Sequence, residues 1–304
     1  MAQTVLILLS TYNGTDYLIQ QLDSIRAQTD VDCHLLVRDD GSAEPKTLEI
    51  LAEAAHDMHI ELVKGENMGA ADSFMQLLAM APKYDYYAFC DQDDVWLPDK
   101  LSRGVEALQG VDSSTPALYG CNFNVCDANG VVIEPAVDHH RVITPGASLI
   151  ESWMPGCTMV FNHAMLTLVR RYMPPADQHL IHDRWLFLLA TFFGQVIYDE
   201  RAGINYRLHC NNVVGMLPTN DKKQRLKTVS VKAKFPVWQF AQALLQVCGN
   251  DMTDDQRQLV DVCARYTKNF TCRLRMAFSP KYRLTYGTSA RRLYWKLRIL
   301  LGKI

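Results

Sequence analysis

Across its first hundred residues the chain switches regularly between short apolar runs and stretches of helical periodicity. "TVLILLS" is continuously apolar and ends in a polar turn, the pattern of a strand covered on both faces. "DYLIQQLDSIRAQ" follows, with Leu18, Leu22 and Ile25 at helical spacing. The pair recurs as "CHLLVRDDGS" with "PKTLEILAEAAHDM" and as "HIELVKGENMG" with "ADSFMQLLAMAP", before a fourth strand, "YYAFCDQDD". Strand–helix units in series connect by right-handed crossovers, which lay the strands parallel. The expectation is an α/β fold, a Rossmann-like and mainly parallel sheet flanked by helices. After Leu101 the rhythm loosens. "ALYGCNFNVCD" and "CTMVFN" read as strands, "HDRWLFLLATFFG" as a helix, and "QVIYDE" and "GINYRLH" as two short closing strands. From about Leu217 helical patterns dominate, so the expected division is 1–217 and 218–304.

In such a sheet the ligand crevice lies at the carboxyl ends of the strands. "STYNG", "RDDGS", "ENMG" and "DQDD" all fall there. The last crowds Asp91, Asp93 and Asp94 together. Like charges this close raise one another's pKa unless something positive sits between them. Carboxylate oxygens are the preferred ligands of hard divalent ions. The plain alternative is a solvated turn into a helix capped by Asp94, with Pro98 in its first turn. For "DDGS" the alternative is turn chemistry alone, with a left-handed Gly41.

The 304 residues are 48% apolar and 21% charged, which excludes a disordered chain. Nine cysteines without a CxxC pair indicate neither a zinc site nor a planned disulfide framework, and fit reduced core cysteines of a cytosolic protein. "MAQTVLILLSTYNG" lacks the basic start and the length of a signal peptide. "WLFLLATFFG" is about half of what spans a bilayer.

Together, "STYNG…YLIQQLDSIRAQT", "VRDDGS", "ENMGAADSF", "DQDDVWLPDKL" and "HDRWLFLLATFFGQVIYDE" resemble the family 2 glycosyltransferases of GT-A fold. The resemblance covers roughly residues 1–215. It is especially close to bacterial members that transfer rhamnose or galactose during surface-polysaccharide assembly, where "DQDDVW" and a late "YR-H-NN-V-G" segment recur. It implies an inverting transferase that takes a nucleotide-diphosphate sugar, dTDP-rhamnose or a UDP-hexose, as donor. The acceptor implied is a hydroxyl of a lipid-linked, polyprenyl-diphosphate oligosaccharide destined for O-antigen, capsule or cell wall. A catalytically inactive glycan-binding or scaffold protein on the same fold is the alternative.

The resemblance also assigns residues. Asp91, Asp93 and Asp94 share Mg²⁺ or Mn²⁺ and ribose contacts. The motif reads as Asp91-x-Asp93 or as Asp93-Asp94, and Asp93 ranks first because both include it. Ser10, Thr11, Tyr12 and Asn13 line base and ribose, and Asp40 accepts from the pyrimidine N3–H, while Asp39 serves either the ligand or the turn. Asn67, Gly69 and Arg207 approach ribose or diphosphate, and His209 closes over the diphosphate with a metal-binding imidazole. Asp183 of "HDRW" is the general base, its alternative being a charge at a helix N-terminus. Trp153, Gly156 and His182 belong to the acceptor side. His139 and His140 read as loop residues.

Eleven of the 31 Lys/Arg and none of the 33 Asp/Glu fall in 265–304, so the tail carries +11 and the remainder −13. In "SARRLYWKLRILLGKI", Ala290, Leu293, Tyr294, Leu297, Leu300, Leu301 and Ile304 recur at helical steps. A basic amphipathic helix of this kind suits an anionic membrane surface. The expected location is cytoplasmic, peripheral at the inner face of the cell membrane, with no nucleic-acid partner. The alternative is a helix docked on the catalytic part, and on the membrane reading a chain ending near Ser289 still folds.

Overall fold

The computed structural model describes residues 2–137, 141, 143–208, 236–283 and 289–304. Its centre is a nine-stranded mixed sheet in the order β3-β2-β1-β4-β8-β6-β9-β5, with β7 pairing β6. The strands are β1 (Gln3–Thr11), β2 (Val31–Asp39), β3 (His59–Lys64), β4 (Tyr86–Cys90), β5 (Val95–Trp96), β6 (Ala117–Cys126), β7 (Val132–Glu134), β8 (Met159–Asn162) and β9 (Gln195–Arg207). β1 pairs in parallel with β2 and β4, and β2 with β3, as the alternating pattern requires. β8 runs antiparallel to both β4 and β6, so β6 and its parallel partner β9 point the same way as the first four strands. The two short strands expected from "QVIYDE" and "GINYRLH" are one strand. A register shift opposite Cys121 and Asn122 absorbs its polar middle, Asp199–Arg201.

Each face of the sheet carries its own core. Val5, Ile7, Leu9, Leu35 and Val37 meet α1 (Leu18–Arg26), α2 (Pro45–Ala54) and α4 (Lys100–Gln109) on one side. Leu6, Leu8, Leu36 and Phe89 meet α3 (Ala70–Met80), α5 (Pro145–Ile150), α6 (His163–Arg171) and α7 (His182–Phe193) on the other. α7 is buried throughout its middle, Trp185 to Ala190, which explains why it is apolar on all sides.

The four later helices, α8 (Val237–Cys248), α9 (Asp254–Arg265), α10 (Phe270–Phe278) and α11 (Ser289–Leu300), extend that second core. Phe240, Leu244, Cys263, Met276 and Ile299 belong to the same cluster as Trp185 and Leu189. The boundary expected at residues 217/218 falls outside the described residues. A Cβ at Gly146 would lie 1.9 Å from the carbonyl oxygen of Lys281, so α5 and the turn after α10 touch backbone to backbone. The tail helix is divided along its length. Ile299 and Ile304 are buried and Tyr266 donates to the Ile304 carbonyl, while Leu293, Leu297 and Leu301 face out. Phe270, Leu274 and Phe278 face out from α10 as well, the six being 39–64% exposed. Arg273 reaching the Leu300 carbonyl and Lys296 lying over the Phe278 ring set the two stripes side by side and antiparallel. The docked alternative is therefore present, yet an amphipathic face remains open. Among the described residues, no helix is long and apolar enough to cross a membrane.

Candidate active site

The carboxyl ends of β1, β2, β4, β6 and β9 gather at one edge, joined there by the start of β8 and the first turn of α7. The β1 and β4 turns are latched together. Gln92 accepts from the Thr11 hydroxyl at 2.6 Å and the Tyr12 N–H at 2.9 Å, and donates to the Tyr12 carbonyl. Asn13, at a positive φ of 48°, ties the first turn to the second through Ser42 and Ala43. Tyr12 is left 46% exposed, its ring open to solvent.

At the end of β2, Asp39 accepts from the Ser42 hydroxyl and N–H, so it shapes the turn. Gly41 has a φ of 79°, and a Cβ there would sit 2.8 Å from the Asn67 nitrogen, so glycine is needed twice over. Asp40 departs from expectation. It is buried against Arg38 and accepts from the N–H groups of Met68 and Gly69 at 3.0 and 2.9 Å. Its carboxylate is spent on holding the loop before α3, not open to a base. That loop leaves Asn67 and Gly69 exposed, with open space beside Gly69. Ser10 meets Ser73 of α3 at 2.6 Å, and Thr11 is buried behind Gln92.

The acidic turn is neither a solvated turn nor a helix cap. Asp94 is 1% exposed, accepts from the Arg207 N–H at 3.0 Å, and its Oδ2 has no partner among the described residues. One oxygen each from Asp91 and Asp94 and the Cys157 sulfur lie within 4.8 Å of one another. Asp93, ranked first from the motif, is half-buried beside this group and outside it. Burial, then Asp93, Asp94 and Asp183, hold the Asp91 carboxyl well above the usual range. Burial and Asp93 push Asp94 up to about 7. The Cys157 thiol is also pushed well up by burial and by Asp94, so it stays protonated and is no ligand for a hard ion. The buried oxygen without a partner and the mutually raised carboxyls fit a hard divalent cation, and the oxygen donor set fits Mg²⁺ or Mn²⁺.

Two residues beneath the turn carry signals not read from the sequence. Lys100 is buried with its Nζ 3.1 Å above the Trp96 ring, and burial lowers it to about 8. Cys157 forms the floor, although "CTMVFN" read only as a strand. Arg207 is the clearest correction. Buried at the end of β9, it donates to the Asp93 carbonyl at 2.7 Å, the Ala128 carbonyl and the Gln20 side chain at 2.6 Å, and lies over Tyr17. It braces the acidic turn from behind, its guanidinium engaged by protein groups.

Asp183 stands in the first turn of α7, half-buried, accepting from the N–H groups of Arg184 at 2.5 Å and Gly156 at 3.2 Å. Burial raises it to about 6, partly offset by those two donors. Its partner Gly156 adjoins Cys157 of the Asp91–Asp94 group, which puts the base candidate beside the acidic group. A Cβ on Gly156 would lie 2.7 Å from His182 Nε2 and 3.3 Å from Asp183 Cβ, so this glycine lets the β8 entry close on α7. His182 itself points inward. It stacks on Phe74 at 3.9 Å and meets Phe89 edge-on, and burial lowers it to about 3. Both of its ring nitrogens are buried without a hydrogen-bond partner among the described residues. Trp153 is half-buried, edge-on to Tyr198 and Phe187 with Arg141 4.0 Å over its face. His209, His139 and His140 lie outside the described residues.

Residues 6–130 match the family model described as "Glycosyl transferase family 2". The chain carries a family 2 glycosyltransferase domain. The glycosyltransferase is similar to dTDP-rhamnosyl transferase RfbG of Shigella flexneri, 29% identical over 223 residues, 68% of this chain and 73% of that protein. It is also similar to UDP-Glc:alpha-D-GlcNAc-diphosphoundecaprenol beta-1,3-glucosyltransferase WfgD of Escherichia coli, 25% identical over 128 residues, 42% and 49% of the two chains. Among solved structures, S. aureus TarS 1-349 in complex with UDP-GlcNAc superposes with a TM-score of 0.60 at 13% identity, over 99% of this chain and 82% of that one. The glycosyltransferase has the GT-A-type fold, a mostly parallel sheet flanked by helices with further helices at its C-terminal side.

Proposed function

We propose that this glycosyltransferase is inverting and depends on a divalent cation, with Asp183 as its general base. The observation that carries the reading is Asp183 itself, a half-buried carboxylate raised to about 6 next to the Asp91–Asp94 group. In the step proposed, the acceptor hydroxyl gives its proton to Asp183 as its oxygen forms a bond to the donor's C1. The bond from C1 to the diphosphate oxygen breaks on the opposite side, and the electron pair leaves with the nucleoside diphosphate. A base raised toward neutrality suits this transfer, since it takes the proton yet ionises at working pH. Asp91 and Asp94, with Asp93 beside them, are the side chains that would hold Mg²⁺ or Mn²⁺, which when bound would neutralise charge on the leaving diphosphate. Tyr12, with its exposed ring, is suited to stack on the donor base.

The relatives support the finer reading. RfbG is named for dTDP-rhamnose, so dTDP-rhamnose is the first donor and a UDP-hexose the second. WfgD is named for a diphosphoundecaprenol acceptor, which supports a lipid-linked oligosaccharide. An acceptor of that kind brings the enzyme to a membrane, and the open apolar stripes of α10 and α11 in a tail of +11 suit an anionic leaflet. The test is transfer from a panel of nucleotide sugars to a lipid-linked acceptor with Mn²⁺ or EDTA, with the anomeric configuration of the product read by NMR. Asp93→Ala is expected to lose most turnover while staying folded. Asp94→Ala is expected to lose stability as well, because the buried Arg207 N–H loses its partner. A retained configuration, or full activity in EDTA, would overturn the reading.

A further inference from the structure

At the other end of the sheet from the carboxylates, Asp32, His34 and His59 meet. Asp32 and His34 are two residues apart on β2 and so share a face, and His59 on the edge strand β3 is the register partner of His34. The two imidazoles stack at 4.4 Å and 15°, so one ring must turn about its side-chain torsions for both to aim a nitrogen at one ion, a turn open to the exposed His59. A ligand atom from each of the three residues lies within 4.8 Å of the others. His34 Nε2 is 3.3 Å from Asp32 Oδ2, about the edge of a tetrahedron around an ion with bonds of ~2.0–2.2 Å. The ring's other nitrogen, Nδ1, is 3.0 Å from the Tyr84 hydroxyl, the outer-shell partner that fixes an imidazole's orientation in metal sites. Asp32 and His59 are exposed, so an ion has access. The carboxylate of Glu61, on the same face of β3, adds negative charge nearby.

We propose that Asp32, His34 and His59 form a binding site for one late-transition-metal ion of the Zn²⁺ class, separate from the catalytic carboxylates. Two imidazoles and one carboxylate select Zn²⁺, Ni²⁺ or Cu²⁺, whereas an all-oxygen set suits Mg²⁺ and Mn²⁺. With Nε2 on the ion, His34 carries its proton on Nδ1 and donates it to Tyr84. Water completes the coordination. From His34 to Asp39 the strand rises ~17 Å, so the ion stands well away from the chemistry. Its effect is mechanical, a cross-link between β2 and the edge strand β3, with Tyr84 bringing the entry to β4 into the same cluster.

The test is calorimetric titration of the full chain with Zn²⁺ in excess Mg²⁺. Wild type is expected to take up one Zn²⁺ per chain in the micromolar range and to gain about 3 °C in Tm with Zn²⁺ in excess. His59→Asn and Asp32→Asn are each expected to weaken binding at least about tenfold and to lose the Tm gain. Tyr84→Phe should weaken it by about tenfold, the scale of outer-shell effects. Basal transfer by His59→Asn should be unchanged. If His59→Asn binds Zn²⁺ as tightly as wild type, the ion resides elsewhere, with Asp91, Asp94 and Cys157 the nearest alternative, and the proposal fails. Absence of Zn²⁺ binding to wild type would also overturn it. His59 and Asp32 are exposed, so neither substitution should prevent folding. An Asp32→Asn protein with wild-type affinity would remove the carboxylate from the site and sink the tetrahedral assignment.

Discussion

Asp183 and Arg207 are both charged residues at an element's end, and the structure gives them opposite fates. Asp183 faces the acidic group, so Asp183→Asn should keep donor affinity and lose turnover by roughly 10²-fold or more, the scale of general-base catalysis. Because the base works deprotonated, wild-type turnover should rise with pH through about 6 and then level off. A profile flat from pH 5 to 8, fields in which Asp183 would change charge, would remove it from the proton transfer. Arg207 is enclosed by the groups it serves. Arg207→Lys cannot satisfy the Asp93 and Ala128 carbonyls and Gln20 at once. Leaving buried acceptors unpaired should cost about 2–3 kcal/mol in chemical denaturation. A diphosphate-binding arginine would instead raise the donor KM at unchanged stability. The sequence could not separate these roles, because an arginine just beyond a strand end looks the same whether it points to a ligand or back under a loop. Asp40 misleads for the same reason, its partners being backbone N–H groups that no side-chain pattern reveals.

At the scale of elements, the first four strands and their helices were legible because period and turn chemistry agree throughout. The antiparallel insertion of β8 was not, since a short apolar run carries no direction. The tail shows a similar limit. Its stripe was visible, but seven apolar positions on one helix do not say which meet protein and which meet solvent. Ile299 and Ile304 turn out to be core, so ending the chain near Ser289 should now lower stability, contrary to the membrane-only reading. The membrane face is better tested by point changes. Leu293→Glu with Leu297→Glu should leave Tm within about 1–2 °C, as exposed substitutions do, and reduce binding to anionic vesicles severalfold. Wild-type binding should weaken with added salt, since exposed charges are screened within about 8 Å at physiological ionic strength. Equal vesicle binding by wild type and the double variant would assign the face to another partner.

For the molecule as a whole, the acidic site should make stability depend on cation and pH together. Asp91, Asp94 and Asp183 all have folded-state pKa values above those of an unfolded chain, for which an ordinary aspartate sits near 4. Their contribution is fully present below that value and is lost as pH rises through about 6 and about 7. The cation-free protein should therefore weaken as pH rises from 4 to 8. Mn²⁺ binds the ionised form, so the Tm gain on adding it should be larger at pH 8 than at pH 6 in thermal unfolding with EDTA as reference. An equal gain at both would mean the cation does not sit among these carboxylates. The backbone contact at Gly146 has a different consequence, for engineering. A side chain there would strike the Lys281 carbonyl, so the catalytic half and its helical attachment are mated like a key and lock blank. Chimeras that graft the C-terminal helices of one relative onto the sheet of another should assemble only when the recipient offers glycine at this position.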